Sequence, residues 1–158
     1  AAELLVRGED PRATIVRPSA VYGPGDGNGR LLQRLVDAAT GGPQLVLTAA
    51  PSALSDYTWV GDLAAGLMAA CFTPAAAGRT YNVTAGHARS VAEAITIVRD
   101  LGYAPDIQFE EVEAGRPDRG ALSIARARDE LGYRPTITLE DGLALYLESH
   151  MARLAAAR

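Results

Sequence analysis

Apolar residues recur along this chain with two periods, and their alternation outlines a series of helices and short strands. The opening Ala1 to Arg7 has helical spacing with apolar Leu4, Leu5 and Val6, and Asp10-Pro11 ends it. Ala13 to Val16 is a short apolar run between turn signals, which predicts a buried strand of a parallel sheet. Gly23 to Gly29 is too rich in glycine for anything but a loop. A helix follows with Leu31, Leu32, Leu35, Val36 and Ala39 on one face, ended by Gly41-Gly42. Gln44 to Leu47 predicts a strand, Ala49 to Ser55 a loop of small residues, and Tyr57 to Trp59 a brief extended piece. Val60, Leu63, Ala64, Leu67, Met68 and Cys71 then keep helical spacing and predict a buried stripe.

The second half continues the alternation. Tyr81 to Val83 is a short strand, and Ser90-Val91-Ala92-Glu93 is a capping box that opens a helix burying Val91, Ala94, Ile95, Val98 and Leu101. Ile107 to Val112 alternates as a half-buried strand does. Ile124 to Leu131 predicts a short helix closed by Gly132. Thr138 with Asp141 predicts a second capping box before Leu139, Leu143, Tyr146, Leu147 and Leu154. Helices alternating with strands indicate the α/β class. The first residues carry neither Met nor an N-cap, so the expectation is a helix whose start lies upstream of Ala1.

Composition narrows the function classes. At 158 residues, 48% hydrophobic and 22% charged, the chain can bury a core. A net charge of −4 supplies no cationic surface for phosphate backbones, so no nucleic-acid partner is expected. Leu63 to Ala77 is the most apolar stretch, and Gly66 and Pro74 break it, so no membrane span is expected. Cys71, the single cysteine, excludes an internal disulfide; its apolar helical setting predicts a buried inert thiol, compatible with the cytoplasm as location. His87 and His150 lie too far apart for a zinc site, and neither has a nucleophile at catalytic spacing. The clusters Glu110-Glu111-Glu113 and Asp129-Glu130 are expected to be solvated faces.

Four segments carry a resemblance. Ala13 through Gly25, reading Ala-Thr-Ile-Val-Arg-Pro-Ser-Ala-Val-Tyr-Gly-Pro-Gly, resembles a signature of the NAD(P)-dependent epimerase/dehydratase family of extended short-chain dehydrogenases/reductases. Asp56-Tyr-Thr-Trp-Val-Gly-Asp-Leu63 resembles that family's aspartate-aromatic-x-x-Val-x-Asp segment. Tyr81-Asn82-Val83 with the Ser90 helix, and Gly115-Arg-Pro-Asp118 with Ala127 to Pro135, resemble its closing parts. The resemblance implies the C-terminal part of a Rossmann-like parallel sheet plus a small α/β substrate-binding subdomain over residues 1–158, the dinucleotide-binding segment preceding them. The family's catalytic Tyr-x-x-x-Lys pair is expected just before Ala1. The loop Gly23 to Gly29 lacks G-x-G-x-x-G spacing, so a substrate-side turn is expected there and not a phosphate cradle.

The implied chemistry is hydride transfer between NAD or NADP and a sugar-like carbinol carbon, in a protein that is a homodimer when complete. No catalytic residue and no metal site is expected within the chain itself. Pro18, Ser19 and Val21 would pass the nicotinamide end of the cofactor. Ala20, Tyr22, the loop Gly23 to Arg30, Leu31, Leu45, Leu47 and Arg116 would surround the substrate. Pro18 also reads as a strand terminator, and Tyr22 and Trp59 as packing residues. Asp56 and Asp62 read as caps of the helix starting near Val60. Arg116 suits anion binding through its guanidinium fork.

Two positions depart from the family's nucleotide-sugar members, which commonly carry Asn where Ala20 stands and Arg where Ser55 stands. Each lost contact is worth about 1.5–3 kcal/mol. A smaller polyol, uronate or other hydroxy/keto substrate therefore stays open beside a nucleotide-linked sugar. A non-catalytic ligand sensor or scaffold on the same fold is the alternative, and a stand-alone partner-binding module a third reading. Strands at 13–16 and 81–83 would normally extend a larger parallel sheet, so the segment expressed alone is expected to be insoluble or molten.

Overall fold

The strands pair two by two in the computed structural model, which describes residues 1–110 and 120–157. Helix α1 (Ala2–Glu9) leads to β1 (Ile15–Arg17), which runs parallel to β6 (Thr80–Asn82) with Ile15 opposite Thr80. β2 (Ala20–Tyr22) runs parallel to β5 (Tyr57–Trp59), with Ala20 opposite Tyr57. β3 (Leu45–Leu47) pairs in parallel with β8 (Ile107–Phe109), and β4 (Leu54–Ser55) lies antiparallel to β7 (Arg89–Ser90). The helices between them are α2 (Leu31–Ala39), α3 (Val60–Phe72), α4 (Val91–Asp100), α5 (Ala125–Leu131) and α6 (Leu139–Ala156).

Two cores result. The larger packs Leu32, Leu35 and Val36 of α2 against Val91, Ile95 and Val98 of α4 and Leu143, Tyr146 and Leu147 of α6, with Leu45, Leu47, Tyr22 and Tyr57 from the strands. The smaller gathers Tyr81, Val83, Ala76, Ala127 and Tyr133 around β1 and β6. The expected architecture, a piece of parallel sheet joined to a small α/β unit, is therefore present. Helix α1 buries none of its residues, and Leu4 and Leu5 stay exposed.

The cap signals are borne out. Ser90 Oγ accepts from Glu93 N at 3.1 Å, and Glu93 returns the bond by accepting from Ser90 N at 2.7 Å. Thr138 Oγ1 accepts from Asp141 N at 3.1 Å, but Asp141 receives its return bond from the Thr138 hydroxyl. Arg89 then bridges Glu93 of α4 and Glu140 of α6 at 2.8 and 2.7 Å.

Other expectations are corrected. The first strand lies at Ile15–Arg17, two residues beyond its predicted start, and β2, β4 and β7 were not expected. β8 stops at Phe109; Val112 lies outside the described residues. Helix α3 is apolar nearly all round, so its periodicity does not select a face. The face turned inward carries Asp62, Gly66 and Ala70, while Val60, Leu67 and Met68 are exposed. Cys71 falls on that outer side and is an exposed thiol. Trp59 is half-buried at the rim of the larger core, edge-on to Tyr22 at 5.5 Å. Among the acidic clusters, Glu110, Asp129 and Glu130 are exposed as expected, and Glu130 accepts from the Tyr81 hydroxyl at 2.8 Å and Asp129 from Arg128 at 2.9 Å. Glu111 and Glu113 lie outside the described residues.

Gly66 shows why the inner face of α3 is made of small residues: a Cβ there would overlap Val83 Cγ1 and touch the Tyr133 ring at 3.0 Å. Gly66→Ala is expected to destabilise the full-length protein by about 1–3 kcal/mol in urea melts, despite alanine's better helix propensity. Glu93 gives a pH effect. The Ser90 backbone N–H, then the Ser90 hydroxyl and Arg89, hold its carboxyl down to about 2 from an ordinary 4.5. A lowered native pKa stabilises the fold above the unfolded value, and that contribution fades as pH falls through about 2. The melting temperature is expected to decline over that acid range, and less steeply in Glu93→Gln.

Candidate functional site

The chain breaks its ladder at Pro18, and a cleft opens there. Proline has no N–H to donate, so β1 cannot continue along β6. The strand instead shifts across Ser19, enters β2 and takes β5 as its new partner. Ligands of parallel α/β sheets bind beyond the carboxyl ends of strands, where neighbouring strands part. At this point lies a cavity of about 720 Å3. One wall is Pro18, Ser19 and Ala20, another is Ser55 with Arg30, and the segment Gly120 to Leu122 closes the third. Among the described residues that line it, Arg30 is the one cation and there is no carboxylate. A smaller chamber of about 170 Å3 adjoins the cavity, sharing Ala20, Arg30 and Ser55 with it.

Buried polar groups hold these walls in place. Asp56, 1% exposed, accepts from Gly86 N at 3.2 Å and Leu122 N at 3.1 Å through one oxygen. Its backbone carbonyl accepts from Ala20 N at 3.2 Å. Asn82, at the end of β6, donates its amide to Ser123 O at 2.9 Å. The segment that closes the cavity is thus fastened to two strand ends. Asp62 accepts from Thr136 N and Thr136 Oγ1 with one oxygen and from Ile137 N with the other, all at 3.1 Å, fixing the turn into α6. Neither aspartate caps α3, whose N-cap is Trp59 without a side-chain bond, so the capping expectation is corrected. The backbone N–H groups of distant segments compete better for these carboxylates than the helix end does.

The structure brings some of the expected site residues together and separates others. Pro18, Ser19, Ala20 and Arg30 share the main cavity. Val21, Tyr22 and Leu31 line the smaller chamber. Tyr22 is 2% exposed, donates to Thr138 O at 3.4 Å, and its phenol is pushed up by burial, with Asp62, Glu140 and Asp141 adding to the rise. Leu45 and Leu47 face the larger core, 1% and 4% exposed, away from both cavities. Arg116 lies outside the described residues. Tyr57 and Gly120 to Leu122 line the cavities without having been expected. Tyr57 was read as part of an extended piece and as the aromatic of the Asp56 to Leu63 resemblance, without a site role, and Gly120-Ala121 carries no chemistry of its own.

Comparison with known proteins identifies the frame. A model of the NAD dependent epimerase/dehydratase family matches residues 3–84, just over half of the chain. The chain belongs to that family. Among relatives of the epimerase/dehydratase chain, the dTDP-glucose 4,6-dehydratase of Streptomyces griseus is 30% identical over 145 residues, covering 90% of this chain and 43% of its own length. The UDP-glucose 4-epimerase of Mycolicibacterium smegmatis is 29% identical over 137 residues, covering 84% and 44%. MoeE5 in complex with UDP-glucuronic acid and NAD superposes with a TM-score of 0.82 at 25% identity over 87% of this chain and 46% of that one. The UDP-glucose 4-epimerase of Thermotoga maritima shares the fold, with a TM-score of 0.83 at 20% identity over 97% and 51%. The epimerase/dehydratase chain therefore spans about two-fifths to one-half of each of these proteins. Among the described residues no helix is long and apolar enough to cross a membrane, and no cluster of metal-ligating side chains occurs.

Asp56→Ala is expected to leave Leu122 N without its acceptor and Gly86 N with only its 3.3 Å bond to Thr84 Oγ1, and to cost the full-length protein about 1–3 kcal/mol in urea melts, the cost of one orphaned buried group. Hydrogen exchange at Leu122 should accelerate alongside.

Proposed function

We propose that this chain forms the substrate-side wall of the active-site cleft in an NAD(P)-dependent sugar epimerase or dehydratase, with a nucleotide-linked sugar as ligand. The observation that carries this reading is the cavity at the Pro18 break. It is large enough for a nucleotide sugar by the usual range of ligand sites, about 300–1,000 Å3. It lies where one parallel strand changes partners and is lined by one guanidinium and the hydroxyls of Ser19 and Ser55.

The residues present suit a nicotinamide ring and a sugar. Pro18 and Ala20 offer flat apolar contact, and Ser19 a hydroxyl for a carboxamide. Pro18, Ser19 and Ala20 would hold the nicotinamide end of the cofactor, which would supply a hydride acceptor for a sugar carbinol carbon. Arg30, exposed at the N-cap of α2, holds the anionic part of the ligand. The Asp56 bond to Leu122 keeps the third wall in position, which orients the sugar against the ring. The relatives named for UDP-glucose and dTDP-glucose support this ligand class, and so does the complex with UDP-glucuronic acid and NAD.

Calorimetric titration of the full-length protein, saturated with NAD, with UDP-glucose, UDP-glucuronic acid and dTDP-glucose tests the reading. Saturable binding of at least one is expected. Arg30→Ala should weaken it roughly ten- to a hundredfold, the worth of a charge-assisted hydrogen bond. No binding of any of the three, with binding of an unlinked sugar acid or polyol instead, would move the substrate to the smaller class.

A further inference from the structure

The chamber beside the main cavity is lined by residues with buried polar atoms that no described residue satisfies. Tyr57 is 7% exposed, and its hydroxyl has no hydrogen-bond partner among the described residues. Asp26 engages one carboxylate oxygen with Asn28, accepting its N–H at 3.1 Å and its side-chain amide at 3.2 Å. The other oxygen is buried and, among the described residues, unpartnered. Tyr57 and Asp26 both line the chamber of about 170 Å3. A buried donor and a buried acceptor left open together are unusual, because each costs free energy unless something fills it.

The chamber communicates with the main cavity across Ala20 and Ser55, which belong to the walls of both. Arg30 belongs to both walls as well, and of the three shared residues Ala20 and Ser55 have the small side chains, so a longer side chain at either position would fill space between the two cavities. Burial pushes the Tyr57 phenol up to about 12, against the opposing influence of the nearby Ser55 hydroxyl, so at neutral pH it is a donor. The Asp26 carboxylate is an acceptor and disfavours a second anion beside it.

We propose that this chamber is a subsite for a neutral, hydroxyl-bearing arm of the ligand, which accepts a hydrogen bond from Tyr57 and donates one to Asp26, and that Ala20 and Ser55 determine specificity by leaving its entrance open. The inference rests on the reading of the main cavity as a sugar site. The arm comes from the sugar or from the ribose of its nucleotide; the chemistry is shared.

The test uses the full-length protein with NAD and measures dissociation constants for UDP-glucose, UDP, UDP-glucuronic acid, glucose and glucuronate. Tyr57→Phe removes the hydroxyl and keeps the ring. It is expected to leave the ligand-free melting temperature unchanged or raised, because an unsatisfied buried group is lost, and to weaken UDP-glucose roughly tenfold. Asp26→Asn should weaken it similarly. Ser55→Gln closes the entrance, so Tyr57→Phe should have no further effect in that background. Loss of UDP-glucose affinity without loss of UDP affinity assigns the arm to the sugar, and equal losses assign it to the ribose. Unchanged affinities in Tyr57→Phe and Asp26→Asn mean the chamber holds only water, which overturns the subsite and leaves the proposed function standing. Where only glucose or glucuronate binds, the same variants apply to that ligand; binding of none of the five overturns both proposals.

Discussion

Two buried carboxylates on one short stretch of chain hold the rest of this structure in register. Asp56 and Asp62 flank β5 and the start of α3, and neither has a cationic partner among the described residues. Removing a carboxylate from water is costly unless donors replace the lost solvent. Here the donors are backbone N–H groups of Gly86, Leu122, Thr136 and Ile137, joined by the Thr136 hydroxyl. Irregular segments far along the sequence are thereby fixed to a strand and a helix. Loops of this kind have no ladder of their own, so the buried acids supply the order that a sheet edge would otherwise give.

The cleft follows from the same stretch. β5 carries Tyr57 and Thr58 between the two aspartates, and the Thr58 hydroxyl accepts from Ala85 N at 3.1 Å. That bond ties the end of β6 to β5, bringing the two cores side by side although their strands do not share a sheet. Pro18 separates the same two pairs from the other side of the chain. The cavity therefore lies between units that are joined by polar bonds and parted by a missing N–H. A fully apolar join would have filled this space with side chains.

Much of the fold was legible in the sequence. Helices α2 and α4 announced themselves by one-sided spacing, and the Ser90-Glu93 box marked its helix start to the residue. The resemblance of Ala13 to Gly25 located the wall of the cavity at Pro18 to Ala20. The failures have physical causes. β2, β4 and β7 are two or three residues long, too short for a period to develop. Helix α3 is apolar on every side, so only the space around Gly66, set by Val83 and Tyr133, decides which face turns inward. Asp56 and Asp62 looked like caps because local donors are visible in a sequence, whereas N–H groups dozens of residues away are not. Tyr57 stood out only as the aromatic of the Asp56 to Leu63 resemblance, because an unpaired hydroxyl is a property of the packing around it.

The charge of the chain and the charge of the cleft point in opposite directions, and the local one acts at shorter range. A net charge of −4 spread over the surface is screened within about 10 Å at ordinary ionic strength. Arg30 acts at contact distance in a cavity whose described lining holds no acid. Asp56, the nearest acid in sequence to Ser55, is buried and engages one oxygen with Gly86 and Leu122, and it is not among the residues that line the cavity. Asp26 lines the adjoining smaller chamber, which shares Ala20, Arg30 and Ser55 with the cavity. An acidic chain thus carries a cation at the cavity wall and an acceptor in the adjoining chamber, and the proposed ligand, with an anionic part and a neutral hydroxylated part, matches that arrangement.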